Sequence, residues 1–141
     1  MGLAAACDYA IASTNASIKL SELAIGIGPF VVGPAVERKI GVSAFTQLAI
    51  DASNWRSSEW AFNKGLFASV HHDITSLDEA INAFAKKLNE SSPEAMAAIK
   101  KISWQGTEHW DELLLQRAAI SGKLVLSDFT KNAIAAFKTK K

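Results

Sequence analysis

Cysteine is almost missing from this 141-residue chain, with Cys7 standing alone. One thiol can build neither a disulfide framework nor a cysteine metal site, and its alanine neighbours predict a small buried side chain. Proline occurs only three times, which leaves long stretches free to be helical. An excess of one charge is lacking too: 15 basic residues against 14 acidic ones give a net charge of +1. No global field therefore selects nucleic acid or an anionic membrane as partner. Apolar runs stay short, because Asp8, Lys19, Glu22 and Glu37 interrupt the hydrophobic first third, well below the length of a membrane span. No basic leader precedes an apolar core at the N-terminus, so the expected location is the cytoplasm.

What is present suits a globular chain with a core of its own: 49% hydrophobic and 21% charged residues. Residues 2–7 read as a helix turn, Tyr9–Ala12 and Ile18–Leu20 as short strands. Gly26, Gly28, Pro29, Gly33 and Pro34 crowd a loop. Pro34 suits the first turn of a helix that Gly41 stops. Ser43 is placed to cap a helix to about Asp51, and Ser57 or Ser58 one that Gly65 ends. Leu66–Val70 reads as a last strand. Ser76 to Glu79 has the form of a capping box, followed by Leu77, Ile81, Phe84 and Leu88 on one face. Ser92-Pro93 starts another helix. A further one follows His109, with Trp110, Leu113, Leu114, Ala118 and Ser121 on a stripe, and the last begins at Ser127 or Asp128. Trp55, Trp60, Trp104 and Trp110 are expected at helix positions in core or subunit contacts. So few short strands need neighbours from elsewhere to satisfy their edges.

Glu22 is the residue to single out for chemistry. It lies among Leu20, Leu23, Ile25 and Ile27, just before the Gly/Pro loop, and carboxyls in apolar surroundings are the kind that pass protons near neutrality. The plainer reading is a solvent-facing strand end. His71-His72 is a poor metal pair, since neighbours on a strand point to opposite faces. Gly26-Ile27-Gly28 lacks the third glycine and later acid of a dinucleotide fingerprint. The lysines at 131, 138, 140 and 141 fit a solvated helix end.

The order Gly2-Leu3-Ala4-Ala5-Ala6-Cys7-Asp8, then Tyr9–Ala12, then Ser21-Glu22 with Gly26 and Pro29 following, resembles the enoyl-CoA hydratase/isomerase (crotonase) family. Ala118–Gly122 adds to the likeness. Within the family the look is that of short-chain or methylglutaconyl-CoA hydratases. The resemblance implies an α/β fold, the C-terminal half of a ClpP-like β-β-α spiral, with the last short strands followed by an α-helical trimerisation region. Residues 1–75 would be the remnant of the spiral core carrying the Glu22 loop, and residues 76–141 the helical region for trimer formation and CoA contact.

The same resemblance implies a substrate and a site. The partner would be an acyl-CoA thioester, in fatty acid metabolism, with CoA belonging to the substrate and no separate cofactor or metal. The reaction implied is hydration, water added across a 2-enoyl-CoA with Glu22 carrying the proton at the carbon α to the thioester, and the runner-up is double-bond isomerisation by Glu22 alone. Pro29, Phe137 and Lys140 would bind substrate, the last two at the adenine and phosphate end of CoA. The assembly would be a homotrimer or hexamer. Two features depart from the family. Its hydratases carry a second glutamate six residues before the Asp of Cys-Asp, where this chain has Gly2; isomerases of the family work with one. The family's oxyanion hole is built from backbone N–H groups preceding the position of Met1, so the chain reads as truncated and inactive alone. A non-catalytic assembly half is the reading from another class.

Overall fold

The computed structural model describes residues 1–139. Helix α1 (Gly2–Ala6) leads into strand β1 (Ile11–Ser13), and β2 (Ser17–Ile18) follows after one tight turn. A 3-10 turn at Glu22–Ile25 and the loop behind it precede α2 (Gly33–Ile50). Strand β3 (Arg56–Ser57), α3 (Ser58–Asn63) and β4 (Ser69–His71) complete the first half. Four helices follow: α4 (Ile74–Asn89), α5 (Pro93–Ser103), α6 (Trp110–Val125) and α7 (Asp128–Thr139).

The strands form two small two-stranded sheets. β1 runs parallel to β4, with Ile11 opposite Ser69, Ala12 opposite Val70 and Ser13 opposite His71. β2 runs antiparallel to β3. The expected strands are present but displaced by one to three residues. β3 has no apolar signature, and it forms because the extended backbone of Ser57, which also caps α3 by accepting from the Trp60 N–H, can pair before the helix begins.

Pro34 and Gly41 act as their positions suggest. Pro34 lies in the first turn of α2, and Gly41, at φ +79°, breaks helical geometry where α2 kinks. The helix resumes instead of ending, with Val36, Ile40, Ala44 and Leu48 buried on both sides of the bend. Those residues join Ala5, Ala12, Ile18, Leu20, Ala61, Leu66 and Phe67 in one cluster. That core lies wholly within the first half of the chain, and in the four later helices only Thr130 is buried.

Several expectations need correction. The cap of α4 is Asp73, whose carboxylate accepts from the Ser76 N–H at 2.7 Å, so Ser76 is the third residue of the capping box and not its first. Cys7 is exposed, because it ends α1 in an extended conformation, past the face that buries Ala5. Trp55 and Trp104 sit outside the helices, and no tryptophan belongs to the buried core. On α6 the half-buried stripe passes through Trp110, Leu113, Leu114 and Ser121, while Ala118 is exposed.

The end of α5 is fastened by charge. The Asp8 carboxylate accepts from Lys100 Nζ at 2.6 Å and from Trp104 Nε1 at 2.5 Å. Arg38 lies over the Trp104 ring and donates to the Ser103 carbonyl. Lys100 and Trp104 hold the Asp8 carboxyl below its ordinary value of 3.8. Its folded value therefore lies below its unfolded one, and the clamp contributes fully above the ordinary range. That contribution falls away as pH drops from about 3.8 through the depressed folded value. The pair is half exposed, so Asp8→Asn should cost only about 1 kcal/mol at pH 7 in urea unfolding, with the difference vanishing in acid. Leu48, 1% exposed, should be far more costly to truncate: Leu48→Ala is expected to lose about 3 kcal/mol in the same experiment.

Candidate functional site

Glu22 opens the 3-10 turn, and the turn closes behind it at Gly26. Gly26 adopts φ +82°, a left-handed conformation in which its N–H bonds back to Leu23 while the Ile27 N–H reaches the Glu22 carbonyl. A side chain here would be strained twice. Besides the backbone cost, a Cβ would come within 2.4 Å of the Phe129 ring and 2.7 Å of Thr130 Oγ1 on α7. The last helix thus packs directly on the turn that carries Glu22. The Gly26→Ala variant should lose more than the roughly 1–2 kcal/mol of the backbone term alone, read by thermal or urea unfolding.

Beyond Gly26 the chain doubles back. The Phe30 N–H donates to the Gly28 carbonyl at 2.8 Å, a three-residue turn centred on buried Pro29, whose fixed φ suits that position. Val32 then precedes α2. Together with α1, this loop lines an open cavity of about 530 Å³. Gly2, Leu3 and Ala6 of α1 form one wall, Ile27 to Val32 and Ala35 another, and Ser121 of α6 contributes an edge. Glu22 lines the same cavity and is its one charged residue among the described residues. Its Oε2 is buried with no hydrogen-bond partner among the described residues. Leaving a buried polar atom unpaired costs about 1–3 kcal/mol, and unpaired groups of this kind concentrate where a ligand is expected to complete them.

Gly2 is filled from across the cavity. A Cβ at this position would meet Val32 Cγ2 at 2.5 Å. No second carboxylate can stand beside Glu22 unless Val32 moves.

The candidate residues separate accordingly. Glu22 and Pro29 come together at the cavity. Phe137 does not: it lies on α7 eight residues beyond Phe129, about 12 Å along the axis, and is 72% exposed. Lys140 falls outside the described residues. Phe30, Val32 and Ser121 escaped the sequence reading as site residues. Ser121 stood on the expected stripe of α6, but nothing in its spacing said that α6 would reach the Glu22 loop. A larger cavity of about 770 Å³ lies away from this one, between Tyr9, Phe84, Met96 and the Asp8–Lys100 pair. Its acid is already paired with a cation, whereas that of Glu22 is not.

The family model for enoyl-CoA hydratase/isomerase matches residues 1–141. The chain belongs to that family. A Bacillus subtilis (strain 168) protein described as "Probable enoyl-CoA hydratase" is 28% identical over 141 residues, covering 99% of this chain and 54% of the relative. An enoyl-CoA hydratase from Mycobacterium avium superposes with a TM-score of 0.89 at 27% identity, covering 99% of this chain and 55% of that one. One from Bacillus halodurans gives 0.83 at 25% identity, covering 94% and 53%. The chain has the α/β crotonase fold of these hydratases over about half their length, helical C-terminal region included. It spans about half the length of the curated relative it matches.

Proposed function

We propose that this chain carries the proton-transfer half of an enoyl-CoA site, with Glu22 as the group that moves the proton. The observation that supports this most is the place of Glu22 on a cavity otherwise lined, among the described residues, by hydrocarbon and Ser121, with its Oε2 buried and unpartnered among them. An acyl-CoA thioester would lie with its α-carbon beside the Glu22 carboxyl, where positioning does much of the work. The enolate oxygen needs N–H donors of its own, each worth roughly a hundred- to a thousandfold in rate. The donors that the family resemblance implies belong to the half of the relatives this chain does not span, so the chain alone is proposed to turn over poorly.

Hydration is the reading that the relatives' names suggest. The Gly2–Val32 contact favours the other chemistry of the family. Adding water needs one group to deliver hydroxide and one to protonate carbon, and a single carboxylate must do both. Isomerisation asks less: Glu22 takes a proton from the α-carbon of a 3-enoyl thioester, a dienolate forms, and the same proton returns at the γ-carbon to give the 2-enoyl product. We therefore favour double-bond isomerisation over hydration.

Assembly and location are part of the same proposal. Ile99, Ile102, Leu115, Leu126 and Phe129 are each 64–74% exposed on or beside α5, α6 and α7, which supports burial of these faces in a trimer or hexamer. Phe137 then stands free to meet the adenine end of a CoA, with Lys140 nearby in sequence. No described helix is long and apolar enough to cross a membrane, compatible with a cytoplasmic enzyme.

In the protein that carries this chain, 3-hexenoyl-CoA should be converted to its 2-enoyl isomer faster than 2-hexenoyl-CoA is hydrated, followed by thioester absorbance and product mass. Glu22→Gln should lower the isomerase rate at least about a hundredfold with unfolding unchanged. Full activity in that variant would remove Glu22 from the mechanism, and hydration as the faster reaction would restore the hydratase reading.

A further inference from the structure

The larger cavity, of about 770 Å³, lies where the residues after α1 meet α2, α4 and α5, and it shares no lining residue with the Glu22 site. Part of its lining is apolar. Tyr9 stacks on Phe84 with ring centroids 4.2 Å apart, and Leu88, Met96 and Ile99 continue that surface along α4 and α5. The rest is Ser103 and four charged groups: Arg38, Lys39 and Lys100 against the single carboxylate of Asp8.

The three cations are unequally matched. Lys100 pairs with Asp8 Oδ2 at 2.6 Å. Lys39 Nζ donates to the Cys7 and Asp8 carbonyls at 3.0 and 2.8 Å, and Arg38 donates to the Ser103 carbonyl. Among the described residues neither Arg38 nor Lys39 has a carboxylate within ion-pair distance. A carbonyl satisfies a proton but brings no opposite charge. An ammonium carries three N–H groups and a guanidinium five, so both side chains keep donors beyond those bonds. An excess of positive charge thus borders an open apolar surface.

We propose that this cavity binds an anionic amphiphile, a hydrocarbon chain ending in a carboxylate or a phosphate. The head meets Arg38 and Lys39, and the chain lies on Tyr9, Phe84 and Met96. Each half of the ligand answers a different half of the lining. A charged head gains charge-assisted hydrogen bonds, and each methylene fully buried improves affinity roughly three- to fourfold. An uncharged chain of the same length would leave the two cations unmatched, and a cationic one would be repelled.

The protein that carries this chain can be titrated calorimetrically with decanoate, decyl phosphate, hexanoate, decanol and decyltrimethylammonium, each below its micelle concentration. Decanoate or decyl phosphate should bind at least about tenfold more tightly than decanol and than its own six-carbon counterpart, and decyltrimethylammonium should not bind. The tighter of the two anions identifies the head. Lys39→Gln, which keeps a donor and removes the charge, should weaken the anion about tenfold. Met96→Glu, which sets a carboxylate on the apolar lining, should weaken it similarly, and it serves where Lys39→Gln fails to fold. Lys123→Gln, on α6 and away from this lining, should leave affinity unmoved. Failure of both anions to bind would overturn the proposal. So would decanol binding as tightly as the anions, or an anion affinity that Lys39→Gln and Met96→Glu leave unchanged.

Discussion

The contact between the Gly26 turn and the start of α7 sets the arrangement of the whole site. Gly26 must be left-handed to end the 3-10 turn after Glu22, and it must lack a side chain to admit Phe129 and Thr130. Thr130 is fully buried, and its hydroxyl lies 3.2 Å from Ser127 Oγ, the donor in that pair. A helix beginning more than a hundred residues after Glu22 is thereby made part of its support. The direction Glu22 takes into the cavity depends on this far end of the chain as much as on its own loop.

Apolar burial is distributed unevenly around that contact. The core belongs to α1, α2, α3 and the strands, and five of its eleven members are not larger than valine. α5, α6 and α7 instead present large apolar side chains to solvent. Exposed surface of this kind is costly for a monomer and marks places where something else packs. The Asp8–Lys100–Trp104 clamp partly compensates, because it holds the end of α5 to the first half through hydrogen bonds where hydrophobic contact is thin.

Local signals in the sequence were good guides wherever the chemistry was local. Pro34, Ser57, Gly65 and Ser92-Pro93 announced their helix ends through dihedral limits and capping atoms, and each behaves so, whereas Gly41 kinks α2 without ending it. Ser76 misled because Asp73, three residues earlier, is an equally good acceptor and wins the first position. Strand β3 was invisible, since a two-residue strand owes its existence to a partner and carries no pattern of its own. Cys7 fooled the reading because alanine neighbours say nothing about where a helix stops. At the cavity, the resemblance singled out Glu22 and Pro29, and both line it. Phe30, Val32 and Ser121 were not, because their roles come from packing across the cavity: Val32 against Gly2, Phe30 against Gly28, α6 against the loop.

That packing also decides what one carboxylate can do. A glutamate with an empty site beside it can share a water with a second acid, and then hydration is natural. Here the space beside Gly2 belongs to the Val32 methyl group, so the neighbour of Glu22 is hydrocarbon. Hydrocarbon cannot hold or orient a water as a second carboxylate would. Under the proposed reading, a proton lifted from carbon by Glu22 has no second acid beside it to pass to, and returns to the same substrate at another carbon. Among the described residues, the lack of a second acid at the cavity and the presence of Val32 are thus the same fact seen from two sides, and both support the proposed return of the proton over delivery of a hydroxide.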